Sequence, residues 1–149
     1  MNAMARRLPE LTLSVQHACK DHALPSRAQV RRWLRASCPQ PAEVAVRFVD
    51  LDEARTLNRD YRDKDYATNV LSFSYQATPT VSGDLVICPP LVAQEALAQG
   101  KSAEAHFAHL IVHGMLHLQG YDHDHEAAAE SMEAKEREIL ARLGYADPY

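Results

Sequence analysis

Three histidines in the second half of the chain have the spacing that a metal site requires. His113, His117 and His123 lie within the segment AHLIVHGMLHLQGYDH. On a helix of about 3.6 residues per turn, His113 and His117 share one face and can bind one ion. Gly120 suits the left-handed conformation that ends many helices, so the chain can turn back and bring His123 to the same point. Three nitrogen ligands without a fourth protein ligand are typical of an open, catalytic zinc site.

Neighbouring polar residues have supporting roles in this hypothesis. His109 is interpreted as structural or as a support for the ligands, because it lies about 12 Å along the helix from His117. Asp122 is a candidate acceptor that orients a ligand ring, and Asp124 is expected to cap the next helix. Zn²⁺ is favoured by the open site, although nitrogen ligands also suit Ni²⁺ and Cu²⁺.

The same histidine spacing occurs in zinc peptidases, with one difference. In that motif a glutamate directly after the first histidine is the general base. Here the position is Gly114, which has no side chain to accept a proton. The sequence therefore argues against a peptidase. We expect Gly114 to face the site closely, where a side chain would crowd it.

The segment HGMLHLQGYDH resembles the signature of the YbeY family, bacterial endoribonucleases specific for single-stranded RNA that act in rRNA maturation. Two upstream blocks, LNRDYRDKDYATNVLSF (57–73) and GDLVIC (83–88), and the closing LGYADPY are also similar to that family. The similarity is nearly continuous from Phe48 to Tyr149, and the first 45 residues match only in general pattern.

The resemblance implies a metal-dependent endoribonuclease of ribosomal RNA processing, including maturation of the 3′ end of 16S rRNA, and of ribosome quality control. The implied partners are single-stranded RNA, the small ribosomal subunit and its assembly factors. The alternative is a non-catalytic assembly factor in which the metal is a brace. The lack of an obvious general base favours this alternative, whereas an open set of three histidines favours the enzyme.

Cleavage of a phosphodiester bond requires a cation beside the metal. A zinc ion with three histidines lowers the pKa of bound water to about 7 and polarises a phosphoryl oxygen. Arg59, in the second block, is the candidate clamp because a guanidinium can bind two oxygens, although the residue alone reads equally well as a surface charge. Arg62 and Lys64 are candidates to assist. Five polar residues either hydrogen-bond a nucleotide or satisfy the sheet edge: Tyr66, Thr68, Asn69, Ser72 and Ser74.

Composition and charge are those of one globular domain. The chain has 149 residues, 46% hydrophobic and 24% charged, which predicts a single domain over 1–149. The opening MNAMARRLPE lacks the apolar core of a signal peptide, and no apolar run approaches the roughly 18 residues of a membrane helix, so we expect a cytoplasmic protein. The three cysteines are expected to be reduced thiols. The net charge of −4 divides into +4 for residues 1–64 and −8 for 65–149, so a phosphate-binding surface is expected mainly in the first part.

Apolar periodicity predicts the element order βαβα followed by ββααα. Strands are expected at 11–17, 43–49, 70–75 and 83–88, and helices at 26–37, 50–61, 89–99, 102–118 and 126–143. Asp50 and Glu53 resemble a capping box, after which Leu51, Ala54, Leu57 and Tyr61 form the predicted apolar stripe. Four arginines are expected on a solvated face of the first helix: Arg27, Arg31, Arg32 and Arg35.

This order favours an α+β fold, a four-stranded mixed sheet packed with about five helices. The helix that carries His113 is expected to be central, with the metal site opening at its carboxyl end. The YbeY resemblance implies the same architecture.

Overall fold

A computed structural model describes residues 8–20 and 22–149. The absence of a signal peptide was inferred largely from residues 1–7, which lie outside this range. The strands are β1 (Leu11–Ala18), β2 (Ala42–Val49), β3 (Val70–Gln76) and β4 (Val81–Ile87). The helices are α1 (Arg27–Ser37), α2 (Leu51–Arg62), α3 (Pro89–Gln99), α4 (Ala103–Leu118) and α5 (Glu126–Leu143).

The four strands form one mixed sheet in the order β1-β2-β4-β3. Strands β1, β2 and β4 are parallel, and β3 pairs antiparallel with β4 through the short connection 77–80. The predicted α+β class, with a four-stranded mixed sheet and five helices, is confirmed. No helix in the described part of the chain is long and apolar enough to cross a membrane.

Helix α4 is the centre of the larger hydrophobic core. Ser102 caps its start, its hydroxyl accepting from the amide of Ala105 at 3.1 Å, and Ile111 and Met115 are fully buried. The helix contacts α1, α3, α5, β3 and β4. The prediction of a central metal-binding helix is therefore confirmed for the position of α4.

Helix α2 packs with a smaller apolar cluster that includes Val49 and Val86, and its orientation differs from the prediction. Leu51 and Tyr61 are 46% and 65% exposed, whereas Asn58 is buried and donates to the carbonyl of Tyr66 at 2.8 Å. The predicted stripe was therefore partly wrong. A buried, hydrogen-bonded amide takes the place of an apolar residue on the inner face of α2.

The predicted capping box of α2 is also absent. Asp50 is the N-cap residue, but its side chain makes no capping hydrogen bond and lies 3.1 Å from the sulfur of Cys19. The carboxylate of Glu53 pairs instead with Arg47 on β2, at 2.6 Å. Contacts with the sheet have replaced the local contacts that the sequence indicated.

The arginines of α1 do more than cover a solvated face. Arg27 donates to the carbonyl of Leu13 at 2.7 Å, and Arg31 donates to that of Leu11 at 3.2 Å. Both carbonyls belong to β1, which among the described residues is an edge strand that pairs with β2 alone. The expected solvent exposure is confirmed for Arg27 and Arg32, and the structure adds that Arg27 and Arg31 hydrogen-bond the backbone of the sheet edge.

Candidate metal centre and adjoining cleft

The end of α4 and the turn after it bring the three predicted ligands together. Gly120 has a φ of 99°, a conformation that favours glycine, and the amide of Tyr121 donates to the carbonyl of Leu116 at 3.1 Å. One nitrogen from each of His113, His117 and His123 lies within 4.8 Å of the others. The Nε2 atoms of His113 and His117 are 3.1 Å apart.

Hydrogen bonds on the far side of two rings prepare them for a metal. Nδ1 of His113 is 2.6 Å from a carboxylate oxygen of Glu136, and Nδ1 of His117 is 2.9 Å from the carbonyl of Tyr121. Since both partners are acceptors, each Nδ1 carries the proton in a neutral ring and each Nε2 keeps its lone pair. Burial lowers the pKa of His117, and the neighbouring His113 and His123 lower it further, which favours this neutral form.

The spacing of those two lone pairs fits one ion. Two ligands of a tetrahedral ion with bonds of 2.0 to 2.1 Å are about 3.3 Å apart. The observed Nε2 separation of 3.1 Å is close to that value. Two unprotonated nitrogens facing each other at this distance have no hydrogen bond to share, whereas a cation between them satisfies both. The donor set therefore fits a metal ion.

A buried carboxylate that contacts the three-histidine group was not identified from the sequence. The side chain of Glu136 on α5 is fully buried and accepts from His113 at 2.6 Å, from His109 at 2.9 Å and from the hydroxyl of Tyr149 at 2.5 Å. Burial raises the pKa of Glu136, but these three hydrogen bonds outweigh it and lower the pKa to about 2. The group is an anion that orients the ring of His113. The sequence could have indicated Glu136, because it lies four residues after Met132 and therefore on the apolar face of α5, where a glutamate is unusual.

The other candidate support residues make different contacts. His109 is outside the three-histidine group and reaches His113 through Glu136. Asp122 accepts from the backbone amide of Asp124 at 3.3 Å, whereas the rings of His113 and His117 are oriented by Glu136 and by the carbonyl of Tyr121. The prediction that Asp124 caps α5 was wrong. The N-cap residue is His125, whose ring nitrogen accepts from Ala128.

Replacing Glu136 by glutamine is expected to weaken metal binding by about 10- to 100-fold, as loss of a group that supports a ligand usually does. The neutral amide has one acceptor oxygen and cannot receive all three hydrogen bonds as a carboxylate does. Competition with a chromophoric chelator measures the affinity. Glu133→Gln is the matched control, because Glu133 lies on the same helix, has a side chain that is 38% exposed and pairs with Arg137. Equal affinity in the two variants would contradict the supporting role.

The three histidines line a cleft of about 540 Å³ together with residues of α2, β3 and the loop 63–69. Its remaining lining is mostly polar, and none of the described residues that line it is a carboxylate. The lining residues are Asn58, Arg62, Lys64, Tyr66, Thr68, Asn69, Val70, Leu71, Ser72, Ser74, His113, His117, Leu118 and His123. All five polar residues that were predicted to contact either nucleotide or sheet edge thus lie at the cleft.

Of the three basic candidates, the structure brings two to the cleft. Arg62 and Lys64 line it, whereas Arg59 does not, and the Nε of Arg59 donates to Asp60 at 3.1 Å. The difference follows from which side of α2 faces the cleft. Asn58 and Arg62 are four residues apart and share that face, while Arg59 is about 100° further round the helix. The clamp role of Arg59 stays a prediction, without support from its position.

The guanidinium of Arg62 is held in place at the cleft wall. It donates to the carbonyl of Ser72 at 2.6 Å, and its central carbon lies 5.0 Å from the ring centroid of Phe73. A guanidinium has five N–H donors, so others remain for a ligand. A fixed cation of this kind is suited to a phosphate group.

Gly114 lies where α4 packs tightly against the sheet. A Cβ atom there would lie 2.8 Å from Cδ2 of Leu85 and 3.3 Å from the hydroxyl of Ser72. The expected crowding therefore comes chiefly from the core of the sheet rather than from the metal site. A glutamate, as in the peptidase motif, has no room at this position.

Comparison with known proteins identifies the family. A family model described as endoribonuclease YbeY matches residues 15–144. The endoribonuclease YbeY of Methylibium petroleiphilum is 58% identical, over 95% of each chain, and that of Albidiferax ferrireducens is 53% identical, over 95% of this chain and 99% of its own. A solution structure of a protein from Thermotoga maritima shares the fold, with a TM-score of 0.58 over 92% of this chain and 98% of its own, at 23% identity. The chain with its three-histidine cleft therefore belongs to the endoribonuclease YbeY family.

Proposed function

We propose that this chain is a zinc-dependent endoribonuclease that cleaves single-stranded RNA, in particular ribosomal RNA during its maturation. The observation that carries the proposal is the cleft. It joins a metal-binding set of three histidines to Arg62 and Lys64, and its described lining contains no carboxylate to repel a phosphate. The relatives named above are endoribonucleases, which agrees with an RNA phosphodiester as the substrate.

A bound zinc ion would supply Lewis acidity toward a phosphoryl oxygen and lower the pKa of water. The residues of the chain supply the positioning. Arg62, already fixed on Ser72, directs its free N–H groups at a phosphate, and Lys64 adds a second positive charge. The hydroxyls of Thr68 and Ser74 offer hydrogen bonds to sugars and bases. Unpaired bases expose the edges that such groups recognise, which favours a single strand.

The proposal also includes the partners and the cellular compartment. RNA of the small ribosomal subunit and the factors that assemble it are the proposed partners, and the cytoplasm is the proposed compartment. Maturation of the 3′ end of 16S rRNA and ribosome quality control are the proposed processes. Support comes from the family and from the cationic cleft.

A non-catalytic assembly factor is the second candidate. The lack of a carboxylate base among the described cleft residues favours it. The partial exposure of the site argues against it, because His123 is exposed to solvent and a bracing metal is usually enclosed by four protein ligands.

Cleavage assays on matched RNAs test the proposal. The zinc-loaded protein is expected to cleave a labelled single strand and to leave the same strand intact when it is annealed to its complement. Removal of the metal by a chelator is expected to stop cleavage while far-UV circular dichroism stays native, and added zinc is expected to restore it. If the folded, zinc-loaded protein cleaves no RNA and chelation unfolds it, the metal is a brace and the assembly-factor function replaces the enzyme.

A further inference from the structure

Asn69 lines the cleft directly before β3 and is tied to a partly buried network formed by Glu95 and His106. Its side-chain amide nitrogen lies 3.0 and 3.3 Å from the two carboxylate oxygens of Glu95 on α3. The same carboxylate is 2.7 Å from Nε2 of His106 on α4, whose side chain is 4% exposed. The backbone is fixed as well, since the carbonyl of Asn69 accepts from the amide of Cys88 at 3.0 Å.

The protonation of His106 sets the direction of these hydrogen bonds. Burial lowers the pKa of His106 in spite of Glu95, which favours a neutral ring. Its Nδ1 is buried without a hydrogen-bond partner. A proton there would be a buried unpaired donor, so the proton belongs on Nε2, where it is donated to Glu95. Glu95 is therefore an acceptor toward both His106 and Asn69.

This arrangement fixes which end of Asn69 is available to a ligand. A carboxylate accepts hydrogen bonds only, so the NH₂ group of Asn69 must face Glu95. The carboxamide oxygen is the opposite end of the side chain, and Asn69 lines the cleft. Asn69 therefore presents its carboxamide oxygen to the cleft as an acceptor, and Glu95 prevents the side chain from flipping to present its NH₂ group instead.

We propose that the carboxamide oxygen of Asn69 accepts a hydrogen bond from the 2′-hydroxyl of a nucleotide beside the metal centre, with Glu95 and His106 as positioning residues. The inference rests on the proposed function. Phosphates carry no donor, and base N–H groups vary with sequence, whereas every ribonucleotide has a 2′-hydroxyl. The sugar next to the phosphate at Arg62 and the histidines is the nearest source of such a donor. Asn69 thus selects RNA over DNA.

Binding to the metal-free protein tests the inference apart from cleavage. Fluorescence anisotropy compares a short single-stranded RNA with DNA and with 2′-O-methyl RNA of the same base order. One neutral hydrogen bond is worth about 0.5 to 1.5 kcal/mol, so the unaltered chain is expected to bind the RNA about two- to thirteenfold more tightly than either analogue. Equal affinity for all three strands would overturn the inference.

Variants of the network are expected to lose this preference while binding DNA as before. Asn69→Ala removes the acceptor, and Glu95→Gln allows the carboxamide of Asn69 to exchange the positions of its oxygen and nitrogen. In both variants the ratios of RNA affinity to DNA affinity and to 2′-O-methyl RNA affinity should fall toward one. Glu104→Gln is the matched control, because Glu104 is exposed on α4 and bonds Gln29 and Tyr145 instead, and it should keep the ratio of the unaltered chain.

The remaining outcomes distinguish failure of this inference from failure of the proposed function. A preference that survives in Asn69→Ala, or one that changes between oligouridine and oligoadenine, would overturn the assignment to the 2′-hydroxyl. If the unaltered chain binds no RNA at all, the proposed function fails with it. RNA binding and cleavage without the Asn69-dependent ratio would remove this inference alone.

Discussion

His117→Ala is expected to abolish stoichiometric metal binding while the chain stays folded. The ring supplies one nitrogen of the three-histidine group, and its Nε2 lies 3.1 Å from that of His113. Loss of a ligand should weaken binding by more than the 10- to 100-fold that loss of a supporting group causes. Alanine favours the helix, so α4 is expected to persist. Elemental analysis of the purified variant, together with circular dichroism, measures both properties.

A histidine outside the site provides the comparison for this variant. His17 is exposed on β1, and its ring lies 6.0 Å from that of Phe48 and is not part of the three-histidine group. His17→Ala should therefore retain one metal per chain. If His117→Ala also retains one metal per chain, the ligand assignment is wrong.

Arg62→Ala is expected to slow cleavage of single-stranded RNA by about 30- to 1000-fold with metal content unchanged. A charged contact made in the transition state is worth about 2 to 4 kcal/mol, which corresponds to that range of rates. Arg62→Lys should recover little, because an ammonium group cannot make a bidentate contact with a phosphate. Single-turnover rates at saturating protein measure the effect on the chemical step.

Arg59→Ala is the matched comparison, three residues away on the same helix. Arg59 pairs with Asp60 and does not line the cleft, so this variant should cleave RNA at nearly the rate of the unaltered chain. The opposite pattern, a slow Arg59→Ala and a normal Arg62→Ala, would show that the clamp is the arginine first identified from the sequence and that the cleft wall moves when RNA binds.

The three-histidine group was accessible to sequence reasoning because its geometry is local. The spacing of His113 and His117 depends on helical pitch alone, and the turn at Gly120 needs only a residue that tolerates positive φ. The element order was equally accessible, since Ser102 and the apolar period of α4 act within a few residues of each other.

The supporting groups depend on packing between distant segments. Glu136 meets His113 across 23 residues, and Tyr149 reaches the same carboxylate from the end of the chain. No local pattern specifies which face of α5 meets α4. The positions of Arg59 and Arg62 relative to the cleft were inaccessible for a related reason, because the inner face of α2 contains a buried amide, Asn58, that hydrophobic periodicity does not count.

An arginine occupies each open edge of the sheet. Arg27 and Arg31 hold outward carbonyls of β1, and Arg62 holds the carbonyl of Ser72 on β3 at the opposite edge. Bare edges invite pairing with an extended strand of another molecule, the first step of β-aggregation. A strand that docked here would have to displace charge-assisted hydrogen bonds and gain neutral ones in return. These cationic side chains therefore disfavour self-association of the protein through the edges of its sheet.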